Sequence, residues 1–298
     1  MIPRVRFGRT ELEVTRVALG GYPFGGVNLA RNWDPFTPEG RAQAIVTIHA
    51  ALDAGINLID TAPGYGDGNS ESIIGEALEG RRDEVVLATK VGYRGTAEEV
   101  RESVEASLRR LRTDAVEVIQ FHGGMYTNEE IHHILDDGLL DTLIALRDEG
   151  KARFLGFTVE EPWSARPLIA TGAFDVMQVR YNLIYQAAAL HVLNSAGEAD
   201  MGISVMRPMT SGILQRLVSY LVPEWVEVAD LYEVCLKFVL SDSRVHVANV
   251  GMRWPVEVEK NVAVASSFEP RFDVADLPRM TAHIYRTEDE MAGIERDT

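Results

Sequence analysis

The chain has 298 residues, 46% hydrophobic and 25% charged, enough for one large α/β domain or two small ones. A formal net charge of −16 with no basic patch argues against nucleic-acid binding, and a single cysteine, Cys235, excludes a disulfide framework or a cysteine-ligated zinc or cluster. No run of about 18 apolar residues predicts a membrane span, and the opening MIPRVRFGRTELEV lacks the apolar region of a secretory signal, so the expected location is cytoplasmic.

In chain order, residues 4–16 alternate apolar and polar around Gly8-Arg9-Thr10 and read as a hairpin. A short strand, Arg16 to Leu19, stops at Gly20-Gly21, and an aromatic loop with Tyr22, Phe24 and Trp33 follows. Thr37 to Ala54 reads as a helix with Ala42, Ile45, His49 and Leu52 on one side. Ile56 to Ile59 is an apolar run that stops at Asp60. Ser70 to Leu78 is a helix buried through Ile73, Ile74, Ala77 and Leu78. The strand Val85 to Thr89 delivers Lys90. Thr96 with Glu99 three residues later forms a capping box, and Val100, Val104, Leu108 and Leu111 continue that helix at spacings of four and three.

The same beat repeats. Val116 to Phe121 is a strand ending in His122; a long loop, Met125 to Leu135, leads to a helix over Asp137 to Glu149. Arg153 to Phe157 is a strand ending in Thr158, and Ser164 to Thr171 is helical. Val176 to Val179 is a strand, and Gln186 to Glu198 a helix. Ile203 to Met206 is a strand followed by Arg207 and a loop with Thr210, Ser211 and Gly212. Val226 to Leu240 reads as a helix, Val245 to Val250 as a strand ending in Gly251, and Pro255 to Ala265 as a helix. A last helix is expected near 276–291.

About eight strands alternating with helices in roughly 250 residues predict a closed (β/α)₈ barrel, with the hairpin under its bottom and a helical tail at the end. The whole chain, 1–298, reads as one domain. A doubly wound sheet also alternates in this way, but no G-x-G-x-x-G follows the first strand.

In such a barrel the carboxyl ends of the strands share one mouth. Asp60, Lys90 and His122 arrive there from three consecutive units, and Tyr65 follows Asp60 through the turn Thr61-Ala62-Pro63-Gly64. An unperturbed phenol, with a pKa of about 10, trades protons poorly at neutral pH. A neighbouring ammonium favours the phenolate and eases the exchange. Asp60 would hold Lys90, and a neutral His122 would orient a carbonyl. The set suits proton delivery to a carbonyl oxygen while hydride reaches its carbon.

The stretches AGINLIDTAPGYGDGNSESIIGEAL, VVLATKVG, SLRRLRTDAVEVIQFH, FDVMQVRYN and GMRWPVEVEKN make the chain resemble an aldo-keto reductase over nearly its whole length. The resemblance implies an NAD(P)H-dependent reductase, or the reverse dehydrogenase, acting on small carbonyls or alcohols, with Tyr65 as general acid and base and no metal. It implies a cofactor lying across the barrel mouth on Gly21, Asp60, Thr158, Gln178, Met206, Arg207, Ser211, Gly212, Gly251, Arg253, Glu257 and Asn261. A substrate wall of Tyr22, Phe24, Trp33 and Met125 beside Tyr65 and His122 is expected. Substrate choice would lie in the loops Tyr22–Asp34, Gly123–Leu135 and Thr210–Glu224.

The chain departs from the family pattern in places. Thr158 stands for a serine, Val159 for an asparagine, Met206 for a stacking aromatic, and Arg207 for a second serine. Glu257 stands where relatives place an arginine against the NADP 2′-phosphate, which favours NAD. Arg253 and Lys260 favour NADP, which is also the family's habit and the expected cofactor. Two other readings share the residues: a redox sensor on the same scaffold, similar to potassium-channel beta subunits, and a lyase using Lys90 as a Schiff-base nucleophile. His132-His133 among acids offers spacings for a metal, but adjacent histidines face different ways on a helix, and an exposed acidic face is the reading taken.

Overall fold

The computed structural model describes residues 2–26, 32–227 and 229–276. Two antiparallel strands, β1 (Arg4–Arg6) and β2 (Glu13–Thr15), form the hairpin, with Arg4 opposite Thr15. Eight parallel strands then close a barrel: β3 (Val17–Gly20), β4 (Leu58–Asp60), β5 (Val86–Val91), β6 (Val116–His122), β7 (Ala152–Val159), β8 (Val176–Arg180), β9 (Gly202–Met206) and β10 (Val247–Gly251). They run in chain order around the barrel, and β10 closes it against β3.

The helices between them are α1 (Pro38–Asp53), α2 (Asn69–Ala77), α3 (Ala97–Leu111), α4 (Asn128–Asp136), α5 (Leu139–Asp148), α6 (Arg166–Ala170), α7 (Ala187–His191), α8 (Leu193–Glu198), α9 (Ile213–Leu221), α10 (Leu231–Leu240) and α11 (Pro255–Ser267). The main core lies between this outer ring and the barrel wall, where Leu19, Ile59, Leu87, Ile119, Leu155 and Ile203 point outward.

The barrel interior is layered. At the floor, Ala18, Leu58, Ala88, Val118, Val176 and Val247 pack on Phe7, Leu12 and Val14 of the hairpin segment. The hairpin therefore plugs the bottom with apolar side chains. Gly8 makes the close approach possible: at φ +54 any Cβ would sit 2.4 Å from the Gly202 nitrogen. Two residues further along six of the strands, on the same inward face, the side chains turn polar: Asp60, Lys90, Gln120, Gln178, Ser204 and Asn249.

Five expectations change. The buried face of α1 is Ala44, Thr47, Ile48, Ala51 and Leu52, while Ala42 is exposed. Small residues face the barrel because they let the helix approach closely. Helix α4 occupies the expected loop Met125–Leu135, because Thr127 and Glu130 form a second capping box and Ile131 and Ile134 are buried. Gly138, at φ +88, then separates α4 from α5. The segment Gln186–Glu198 breaks into α7 and α8 at Val192. Helix α9 forms inside the expected loop Thr210–Glu224, although none of its residues is buried. Helix α10 begins at Leu231 rather than Val226, because the Asp230 carboxylate accepts from the N–H groups of Tyr232 and Glu233. The expected tail helix lies, beyond Asp276, outside the described residues.

Candidate active site

The end of β4 and the turn after it carry Asp60 and Tyr65; β5 carries Lys90. Lys90 is 1% exposed, and its ammonium donates to Asp60 Oδ2 at 2.6 Å, to the Thr61 carbonyl at 2.8 Å and to the Tyr65 hydroxyl at 3.2 Å. Asp60 Oδ1 accepts from Gln178 Nε2 at 2.9 Å and from Gln120 Nε2 at 3.1 Å. The carboxylate is thus held by a cation and two amides, which is what its burial requires. His122, at the end of β6, sets its ring edge-on to Tyr65 with centroids 5.7 Å apart. Tyr22 also meets the phenol edge-on, with ring centroids 5.1 Å apart.

The electrostatics refine the expectation for Tyr65. Burial raises its pKa above the ordinary tyrosine range, and the Lys90 ammonium reverses only part of that rise. Burial alone would lower Lys90, but the Asp60 carboxylate and then the Tyr65 phenol more than compensate, so it is raised. Both groups keep their protons at neutral pH. A protonated lysine enclosed by three oxygens is a poor nucleophile, which removes support from the Schiff-base reading. For His122, desolvation at the mouth and then the Lys90 charge push the pKa down, to about 3, although the ring opens on the cavity. The imidazole is neutral and can donate one N–H.

A cavity of about 570 Å³ opens above these groups, lined by Tyr22, Asp60, Tyr65, His122, Thr158, Gln178, Met206, Arg207, Ser211, Gly212, Gly251 and Arg253 among others. A second hollow of about 1090 Å³ adjoins it, sharing Met209, Tyr232, Val250, Gly251 and Arg253, and reaches Glu257, Lys260 and Asn261 on α11. Together they make a groove running from the barrel mouth to that helix.

Several expected site residues are placed differently. Phe24 and Trp33 do not line the cavity: Phe24 is fully buried in the core, and Trp33 is buried with its indole N–H on the Gly40 carbonyl. Aromatic rings in that loop are used to seal α1 and α2 onto the barrel. Met125 is half exposed and also lies outside the cavity lining. Gly21 acts through its backbone, donating to the Asp60 carbonyl at 2.7 Å, and a Cβ there would meet Ser70 Oγ at 2.6 Å. The Thr158 hydroxyl bridges the backbone of Gly123, accepting at 3.0 Å and donating at 2.9 Å. Val159 faces the outer core. Arg207 pairs with Glu160 at 2.7 Å. The Glu257 carboxylate turns onto its own helix start, accepting from the N–H of Arg253 at 2.5 Å and of Trp254 at 3.4 Å. Asn261 Nδ2 donates to the Glu257 carbonyl. His132 and His133 pair separately with Asp136 and Asp137.

The sequence reading missed Gln120, Glu160, Arg216, Tyr232 and Asn249. Gln120 and Asn249 carried a signal, since each sits two residues before a recognised strand-end position and therefore faces the same way. The buried Asn249 Oδ1 meets no donor among the described residues.

The sequence model of the aldo/keto reductase family matches residues 21–220. An aldo-keto reductase of Bacillus subtilis, YhdN, is 33% identical over 69% of this chain, which spans 61% of that protein. An NADH-specific methylglyoxal reductase of Escherichia coli is 30% identical over 71% of this chain and 68% of its own length, and an L-galactose dehydrogenase of Arabidopsis thaliana is 27% identical over 88% of each. An aldo/keto reductase from Klebsiella pneumoniae, solved with NADP and acetate, superposes with a TM-score of 0.75 over 94% of this chain and 95% of that one at 23% identity, a likeness of fold. The eight-stranded barrel and the family match over 21–220 agree: this chain belongs to the aldo/keto reductase family.

Proposed function

We propose that the protein reduces small, polar aldehydes or ketones with a nicotinamide cofactor, and catalyses the reverse oxidation of the alcohols. The observation that carries this reading is the Asp60–Lys90–Tyr65 chain opening beside His122 into a long groove. A bound nicotinamide supplies or accepts the hydride. Tyr65 gives its proton to the substrate oxygen in reduction and recovers it in oxidation. Lys90 stabilises the phenolate left behind, and the neutral His122 donates to the carbonyl oxygen to fix its direction.

The groove suits a dinucleotide. Gly251 lines both hollows and joins them. The loop before α9 holds Arg207, Thr210 and Ser211 at φ 55, 57 and 54, followed by Gly212 at φ 77. Three non-glycine residues in the left-handed region cost about 1 kcal/mol or more each, and such strain collects where a ligand is clamped. The groove favours NADP(H): Arg253, Lys260 and Arg271 line its α11 end, while one Glu257 oxygen is held by backbone amides. Replacing Glu257 with Gln is expected to improve the NADPH-to-NADH preference by about tenfold through loss of a like charge near the 2′-phosphate. Comparison of kcat/KM for the two cofactors checks this, and an unchanged ratio contradicts it.

The substrate side is small and charged rather than an aromatic slot. Tyr22, Pro23 and Tyr65 offer the apolar surface, and Glu160, Arg207 and Arg216 the rim. Methylglyoxal and hydroxylated aldehydes are therefore the first substrates to test, against hexanal and benzaldehyde. Cofactor oxidation by the purified protein should be fastest with the polar set. Tight cofactor retention without turnover on any carbonyl would favour the sensor reading instead.

A pH consequence follows from Tyr65. Reduction needs the protonated phenol and should hold across neutral pH, falling only in the alkaline range. Oxidation needs the phenolate and should rise there. Opposite slopes of kcat against pH in the two directions are the expected result; a fall in reduction near neutral pH contradicts the assignment.

A further inference from the structure

We propose that Gln120 is a positioning residue for the proton donor, fixing Asp60 from the β6 side so that its second oxygen is aimed at Lys90. The proposal rests on the reductase reading of this site. Asp60 Oδ1 takes one N–H from Gln178 and one from Gln120, and Oδ2 takes Lys90. With Oδ2 on Lys90, one amide on Oδ1 holds the carboxylate from one side only; donors from β8 and β6 hold that oxygen from both sides and narrow its rotation about the Cβ–Cγ bond. Gln178 also lines the cavity, where a cofactor competes for it. Gln120 lies beneath the cavity, 1% exposed, and serves no ligand directly.

Two further observations single it out. Gly156, its neighbour on β7, has no side chain, and a Cβ there would come 2.7 Å from the Val176 carbonyl oxygen and 3.0 Å from Gln120 Cγ. The barrel thus keeps room for a long side chain at 120. The buried Oε1 of Gln120 meets no donor among the described residues. A buried acceptor left in this way is unfavourable, and a leucine would avoid it. The amide is therefore explained by what its N–H₂ group holds rather than by packing.

The test uses Gln120→Met, which keeps the length and removes the donor, and Gln120→Glu, which keeps the shape. The titratable groups facing Tyr65 are Asp60, Lys90, His122 and Tyr22, and all remain. In Gln120→Met, kcat for reduction should fall about tenfold, the value of one hydrogen bond to a charged group, with KM for the cofactor unchanged. Asp60, with one donor fewer, presents more negative charge to Tyr65. The phenolate titration assigned to Tyr65, read by ultraviolet difference against Tyr65→Phe, should therefore move to higher pH. In Gln120→Glu, activity relative to the unaltered protein should recover as pH falls, because the protonated carboxyl regains an O–H donor.

If Gln120→Met does not fold, the isosteric Gln120→Glu carries the test. A lowered melting temperature with unchanged kcat and unchanged titration in the variants overturns the proposal. If the unaltered protein turns over no carbonyl at all, the reductase reading fails separately, and the Tyr65 titration still decides the role of Gln120.

Discussion

Replacing Tyr65 with Phe should lower kcat for carbonyl reduction roughly a thousandfold, the scale of a lost general acid, while cofactor affinity stays unchanged. The substitution removes one oxygen and keeps the ring that packs against Tyr22 and His122. No neighbour can replace the lost proton. With the phenol oxygen gone, Lys90 still donates to Asp60 and to the Thr61 carbonyl, and the carboxylate keeps its pKa raised. Burial and then the Lys90 charge push the His122 pKa down to about 3, so a neutral imidazole has no acidic proton to give in its place. Steady-state rates with a polar aldehyde and a fluorescence titration of the cofactor separate the two effects. A variant within a few-fold of normal turnover would remove Tyr65 from the mechanism.

The second large effect concerns stability. Replacing Asp60 with Ala should cost about 3–5 kcal/mol of unfolding free energy and abolish turnover, because it leaves a buried ammonium without its counter-charge. Lys90 and Asp60 are 1% and 5% exposed at their side chains and 2.6 Å apart. Gln120 and Gln178 would also lose their acceptor. Denaturant unfolding measures the loss. The double variant Asp60→Leu with Lys90→Met should regain most of that stability but none of the activity, since replacing both charges removes the burial penalty while removing the chemistry. Equal stability of Asp60→Ala and the unaltered protein would mean that the pair is hydrated rather than dry.

The barrel was legible because its signals are local and repeated: apolar runs of strand length, each stopped by a polar residue or glycine and followed by a helical pattern. The four mouth residues were legible because strand ends converge in a closed barrel whatever the loops do. The helix faces were less so. In α1, alanines and a threonine pack inward while Val46 stays half exposed; hydrophobicity alone does not say which small residues a barrel wall admits. Helix α9 carries Ile213, Leu217 and Leu221 at helical spacing yet buries none of them, so periodicity could reveal a helix there but not a core contact. Phe24 and Trp33 were assigned to a substrate wall by type, and their rings instead close the outer core. Glu257 was assigned to the cofactor by its position, and its carboxylate in fact also caps its own helix. Each miss is a side chain with two physically reasonable partners, between which only the tertiary structure chooses.

The alternation of apolar floor and polar layer inside the barrel also guards its own assembly. A slip of one residue in any strand would exchange the inward and outward sets. It would thrust Lys90 or Asp60 among the leucines and isoleucines that meet the helices, and turn Leu87 or Ile59 toward the amides. The buried polar groups at the barrel mouth thus also proofread the pairing of its strands while the chain is still finding its shape.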